Sequence, residues 1–69
     1  MIKVQIQTEY ITLGQFLKKA DLIDSGGQAK FFLEEVKILV NQETENRRGR
    51  KLYKGDQVQV VGFDSYEIV

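Results

Sequence analysis

Polar and apolar residues alternate strictly through Ile2-Lys3-Val4-Gln5-Ile6-Gln7. A period of two is a strand, with Ile2, Val4 and Ile6 on one face. At Thr12 the period changes: Leu13, Phe16, Leu17 and Ala20 recur at the spacing of one helical stripe. Thr12 suits the N-cap, and Gln15 stands three residues on, where a capping box needs it. Gly14 disfavours this helix by roughly 0.5–1 kcal/mol relative to alanine and so predicts a short one. A connection over residues 21–25 follows, and then the same grammar repeats. Ser25 is the cap, Gln28 closes the box, and Ala29, Phe32, Leu33 and Val36 form a second stripe.

From Val36 the period turns back to two, with Ile38 and Val40 on one face and Lys37, Leu39 and Asn41 on the other. Asn41-Gln42-Glu43-Thr44 reads as a turn that lacks the usual glycine. Lys54-Gly55-Asp56 is a second turn, Gln57-Val58-Gln59-Val60-Val61 a further strand broken by Gly62, and residues 66–69 a short last strand. Spacing assigns Phe16, Phe32 and Phe63 to the core. Phe31 falls off the stripe, as a lid over the sheet edge or as an exposed patch. The order β-αα-β-β-β predicts an α+β fold in which residues 1–69 form a single domain. Two short helices pack on one face of a small, mostly antiparallel sheet.

Composition narrows the chemistry. The chain of 69 residues has no Cys and no His. That removes thiolate chemistry, the commonest general base and the commonest zinc ligands. Ser25 and Ser65 are the only serines and have no imidazole to activate them. The expectation is a protein without catalytic residues, metal or cofactor, and so not an enzyme. No apolar run approaches the length of a membrane span and residues 1–10 hold no signal-like apolar stretch, which predicts no membrane partner and a cytoplasmic location.

Net charge is zero, but its distribution is uneven. Residues 1–46 sum to −2, residues 47–54 to +5 and residues 55–69 to −3. The basic stretch Arg47-Arg48-Gly49-Arg50-Lys51-Leu52-Tyr53-Lys54 contains no acid. Arg forks and Lys point charges meet phosphate, Gly49 permits a sharp bend, and Tyr53 can stack on an unpaired base. The plainer alternative is a solvated loop. Having no apolar period, Arg47, Arg48, Arg50 and Lys51 are expected to be exposed and dispensable for the core. Ser25-Gly26-Gly27-Gln28-Ala29-Lys30 is either a plain helix cap or a second phosphate site, where free N–H groups and Lys30 would meet an anion. Glu34 and Glu35 point about 100° apart on a helix and cannot share a proton or metal. They read as a solvated face.

Five segments in this order resemble a known module: Ile11-Thr12-Leu13-Gly14-Gln15-Phe16-Leu17-Lys18, Ser25-Gly26-Gly27-Gln28-Ala29-Lys30, Ile38-Leu39-Val40-Asn41, Arg50-Lys51-Leu52 and Gly55-Asp56-Gln57-Val58. Together, over about residues 11–61, they resemble the RNA-binding domain named after ribosomal small-subunit protein four, the S-four domain. The Ser25-Gly26-Gly27 opening and the run Glu45-Asn46-Arg47-Arg48-Gly49-Arg50-Lys51-Leu52 are similar to its stand-alone, single-domain bacterial branch. The resemblance implies a non-catalytic module for structured RNA, ribosomal RNA or ribosomal particles first. It implies contacts by Ser25, Gln28, Lys30, Asn41, Arg47, Arg48, Arg50 and Lys51. The rival is a protein-interaction adaptor that keeps the fold. The chain departs from the family pattern at Gly26 and Gly27, where an arginine is common, at Val36, where a glycine ends the second helix, and at Gln42, where a glycine follows the turn asparagine.

Overall fold

Thr12 starts the first helix, α1 (Leu13–Lys19), as its sequence demands. Its hydroxyl accepts from the Gln15 N–H at 3.2 Å, and the Gln15 side chain accepts from the Thr12 N–H at 2.9 Å. In the computed structural model, which describes all 69 residues, α1 follows two strands, β1 (Ile2–Val4) and β2 (Tyr10–Thr12). A 3-10 turn, Gly26–Gln28, then runs into α2 (Ala29–Glu35). The rest is strand: β3 (Ile38–Val40), β4 (Glu43–Thr44), β5 (Lys51–Tyr53), β6 (Gln57–Val60) and β7 (Ser65–Ile68). Val36 ends α2 by stepping directly into extended backbone (φ −117°, ψ 127°), so no left-handed cap is required there.

Five strands form one sheet in the order β1-β7-β6-β3-β4, and β2 and β5 pair separately. Every pairing is antiparallel except β1 with β7. Register places Ile38 opposite Val60 and Val40 opposite Val58. It places Val58 opposite Tyr66 and Val4 opposite Ile68. All of these lie on one buried face, which Leu13, Phe16 and Leu17 of α1 and Ala29 and Leu33 of α2 cover to complete the core. Phe16 meets Tyr66 edge-to-face with ring centroids 5.1 Å apart, which locks α1 onto the sheet. Burying a side chain such as Phe16 is worth about 1.5–3 kcal/mol. The opposite sheet face carries Lys3, Gln57, Gln59 and Glu67, and there Lys3 and Glu67 pair across β1 and β7 at 3.6 Å.

The α+β expectation, both helices and the core stripes match this structure. Three details differ. β2 and β4 are strands too short to show a period, and the partner of β2 lies far along the chain. Phe63 is exposed and tilts against Phe32, with centroids 5.8 Å apart, because Gly62 (φ 90°) turns the chain outward before it. Ile2 shares its face with Val4 but lies exposed on the edge strand. Phe31 is an exposed residue, 66% accessible.

The β3–β4 hairpin joins Val40 to Glu43 through two residues, Asn41 and Gln42, both left-handed at φ 51° and 71°. This is the turn geometry in which Asn-Gly is favoured, because both central residues need positive φ. Asparagine tolerates that region; glutamine is strained in it. Replacing Gln42 with Gly is expected to stabilise the protein by about 0.5–1 kcal/mol, the left-handed strain less the freedom glycine adds to the unfolded chain. Thermal melting checks this: the variant should melt several degrees higher, at about 4–8 °C per kcal/mol for a chain of this size.

Candidate nucleic-acid interface

The segment between β4 and β5 carries the arginines, and it is built around one carboxylate. A two-residue turn that sets Leu39 opposite Thr44 brings Glu45 to Ile38, and the Glu45 N–H donates to the Ile38 carbonyl at 2.8 Å. Ile38 faces the core, so Glu45 follows it inward and is 7% accessible. Its carboxylate accepts five hydrogen bonds: from the N–H groups of Asn46 and Arg47, from Nε and Nη2 of Arg47, and from Nη1 of Arg50 at 2.8 Å. The Arg47 hydrogen bond, with help from Arg50 and against the opposing effect of burial, pulls the Glu45 pKa down from 4.5 to about 2.

The same segment closes the start of α1. The N–H of Leu13 donates to the Arg50 carbonyl at 2.7 Å, and that of Gly14 to the Arg48 carbonyl at 2.8 Å. With Gln15 served by Thr12, the first-turn donors of the helix have partners. Gly14 lets this happen, since a Cβ there would meet the Arg48 carbonyl oxygen at 3.4 Å and the Arg48 Cβ at 3.5 Å. Alanine would sit at the contact limit, and a branched residue would lift the segment.

The basic residues therefore divide by task. Arg47 and Arg50 hold Glu45, and the Arg50 side chain is only 32% exposed. The expectation that all four cations are exposed and dispensable fails at Arg50, because the acid it neutralises is buried. Arg48 is exposed and lines one hollow with Lys30, Leu33, Glu34 and Asn46. Two cations far apart in sequence thus line one hollow beside α2, with the Glu34 side chain also in its lining. Lys51 lies with its Nζ 4.9 Å from the centroid of the Tyr10 ring.

The other expected residues stand elsewhere. Gln28 turns its Oε1 back to the N–H groups of Asp24 and Ser25 and lines a separate groove with Leu22, Ile23, Phe31, Phe32 and Glu35. Ser25 is exposed at the 3-10 turn. The Asn41 amide is engaged at both ends: Nδ2 donates to Asp56 Oδ1 at 3.1 Å, and Oδ1 accepts from the Gln57 N–H at 3.0 Å. Asp56 also accepts from the Tyr53 N–H at 2.8 Å, so Asn41 ties two turns together. Glu45 escaped the sequence reading, although a two-residue turn at Asn41-Gln42 would have put it on the Ile38 face.

This geometry can be set beside known proteins. A family model described as S4 domain matches residues 4–69. The chain belongs to the S4 domain family. It is also 62% identical over 66 residues to the "Probable ribosome maturation protein RlbA" of Bacillus subtilis (strain 168), a match spanning 96% of this chain and 93% of that relative. The S4 match starts earlier and ends later than the five segments and takes in β7.

Two substitutions separate the roles of the arginines in this S4 domain. Arg50→Glu places a second carboxylate against a buried one and is expected to destabilise the fold by about 3 kcal/mol or more. Arg48→Glu, at the surface, should stay within about 0.5 kcal/mol. Urea melts of both compared with the parent give the contrast. Glu45 also sets a pH dependence. Its folded pKa lies below the unfolded value, so its contribution is complete above about pH 4.5 and is lost as pH falls toward 2. The stability gap between the parent and Glu45→Gln should therefore be constant near neutrality and shrink between pH 4.5 and 2.

Proposed function

We propose that this S4 domain is a non-catalytic RNA-binding module that recognises structured RNA, ribosomal RNA first, during ribosome assembly or translation in the cytoplasm. The observation that carries the reading is that Lys30 and Arg48, from distant parts of the chain, line one hollow beside α2. Phosphate contacts position a protein on RNA and need such clustered cations more than any single side chain. The name of the Bacillus relative supports the ribosomal setting. No group of His, Cys, Asp or Glu is arranged to hold a metal ion, and no helix is long and apolar enough to cross a membrane. Ser25 and Gln28 would approach the RNA through the 3-10 turn. Asn41 would contribute by fixing the β3–β4 turn.

A second reading is favoured by a different surface. Phe31 and Phe63 are exposed, Phe63 tilts against Phe32, and the groove that Phe31 and Phe32 line carries Asp24 and Glu35. An adaptor would bind a protein there.

With Arg50 and part of Arg47 committed to Glu45, two to four cations remain for phosphates. The affinity for a folded ribosomal RNA fragment should fall with salt at a slope of about −1.5 to −3.5 in log K against log concentration. Arg48→Glu should weaken binding at fixed salt by about tenfold or more. A flat salt series together with unchanged binding by Arg48→Glu would exclude this mode and favour the adaptor.

A further inference from the structure

The small sheet of β2 and β5 faces outward with an arrangement that the phosphate-binding reading does not use. Tyr10 lies directly opposite Tyr53 in the antiparallel register. Their rings are near-parallel, 23° apart in plane with centroids at 5.8 Å. The Lys51 ammonium lies over the Tyr10 ring. β5 thus sends Leu52 inward, where it is fully buried, and presents Lys51 and Tyr53 to solvent on either side of it. Tyr53 keeps 44% of its surface accessible. The Asp56 carboxylate is occupied by the Tyr53 N–H and the Asn41 amide. Glu9, exposed beside Tyr10, is the acid this surface leaves in solvent.

A cross-strand aromatic pair needs two rings that cover each other. It does not need one of them to stay nearly half in water within a run of exposed cations. A nucleobase does need those things, since it stacks on an aromatic face while its phosphate meets cations nearby. Arg48, Lys51 and Lys54, all exposed, flank Tyr53 along the chain.

We propose that Tyr53, backed by Tyr10 and Lys51, is a stacking site for an unpaired nucleobase. The inference rests on the RNA-binding reading above and deepens it: the preferred RNA carries a single-stranded nucleotide beside a folded, phosphate-dense segment. Tyr53 supplies the ring face, Tyr10 holds that ring in orientation, and Lys51 steadies Tyr10 through its cation–π contact.

The test compares two RNA probes, a hairpin with an unpaired loop and a blunt duplex of equal length, by fluorescence anisotropy at fixed salt. Tyr53→Leu should lose at least about fivefold in affinity for the hairpin and stay within about twofold for the duplex, with an unchanged salt slope. Tyr53→Phe, which keeps the ring, should bind both probes like the parent. The chain has three tyrosines and no tryptophan, and Tyr66 is buried, so tyrosine quenching by the hairpin reports on Tyr10 and Tyr53. Thermal melting of Tyr53→Leu verifies that the compared protein is folded. Should its melting drop below the assay temperature, Tyr53→Phe and the quenching decide. Hairpin-specific quenching in the parent that is largely lost in Tyr53→Phe, whose affinity is unchanged, supports the stack at this position, and no hairpin-specific quenching in the parent overturns it. If folded Tyr53→Leu binds the hairpin like the parent while Arg48→Glu loses both probes, the stacking site is overturned and the RNA-binding reading stands. If the parent binds neither probe, both fail.

Discussion

A buried negative charge needs partners, and Glu45 governs how the arginine-bearing segment is arranged. A carboxylate removed from water loses several kcal/mol of hydration, and only charge-assisted hydrogen bonds in good geometry replace it. The segment after β4 curls so that two backbone N–H groups and two guanidinium groups converge on that one side chain. From this curl follow the outward aim of Arg48, the carbonyls presented to α1, and the entry of the chain into β5. The cluster that reads as pure cation in the sequence is an ion network with one acid at its centre.

The network also changes how the positive charge is distributed. A row of five cations suggests that all of them are available to a polyanion. Two of them are turned onto Glu45, one lies on an aromatic ring, and Arg48 lines the same hollow as Lys30. The field at the hollow beside α2 comes from residues on two different elements, with Glu34 at its rim. Under the proposed RNA-binding mode, an arrangement of this kind would favour selectivity for shape over raw attraction, because phosphates would have to reach Lys30 and Arg48 together.

Much of the fold was legible in the sequence because its signals were periodic or local. The stripes of α1 and α2 and the Thr12–Gln15 box needed only neighbouring residues, and the alternation at Ile38-Val40 and Val58-Val60 named the core face. What escaped depends on partners distant in sequence. β2 exists because Lys51, Leu52 and Tyr53 pair with it, and Glu45 is buried because the register through a glycine-free turn carries it inward. Phe63 had a core-like spacing, yet a left-handed Gly62 turned it out. For the candidate site, the sequence identified the cations and the resemblance identified the region. Which cation lies free in solvent and which holds an acid depends on the register that buries Glu45.

The docking of the Arg48 and Arg50 carbonyls onto the first turn of α1 has a consequence for association. Fixing a residue's backbone lowers its conformational entropy by roughly 1–2 kcal/mol in free-energy terms. A free loop of basic residues would meet that loss at the moment of binding, and an RNA would have to order it. Here the loss occurs during folding, offset by helix donors that need acceptors. A partner bound at Arg48 would therefore meet a template that is already shaped, and less of the contact energy there would be consumed in holding the chain still.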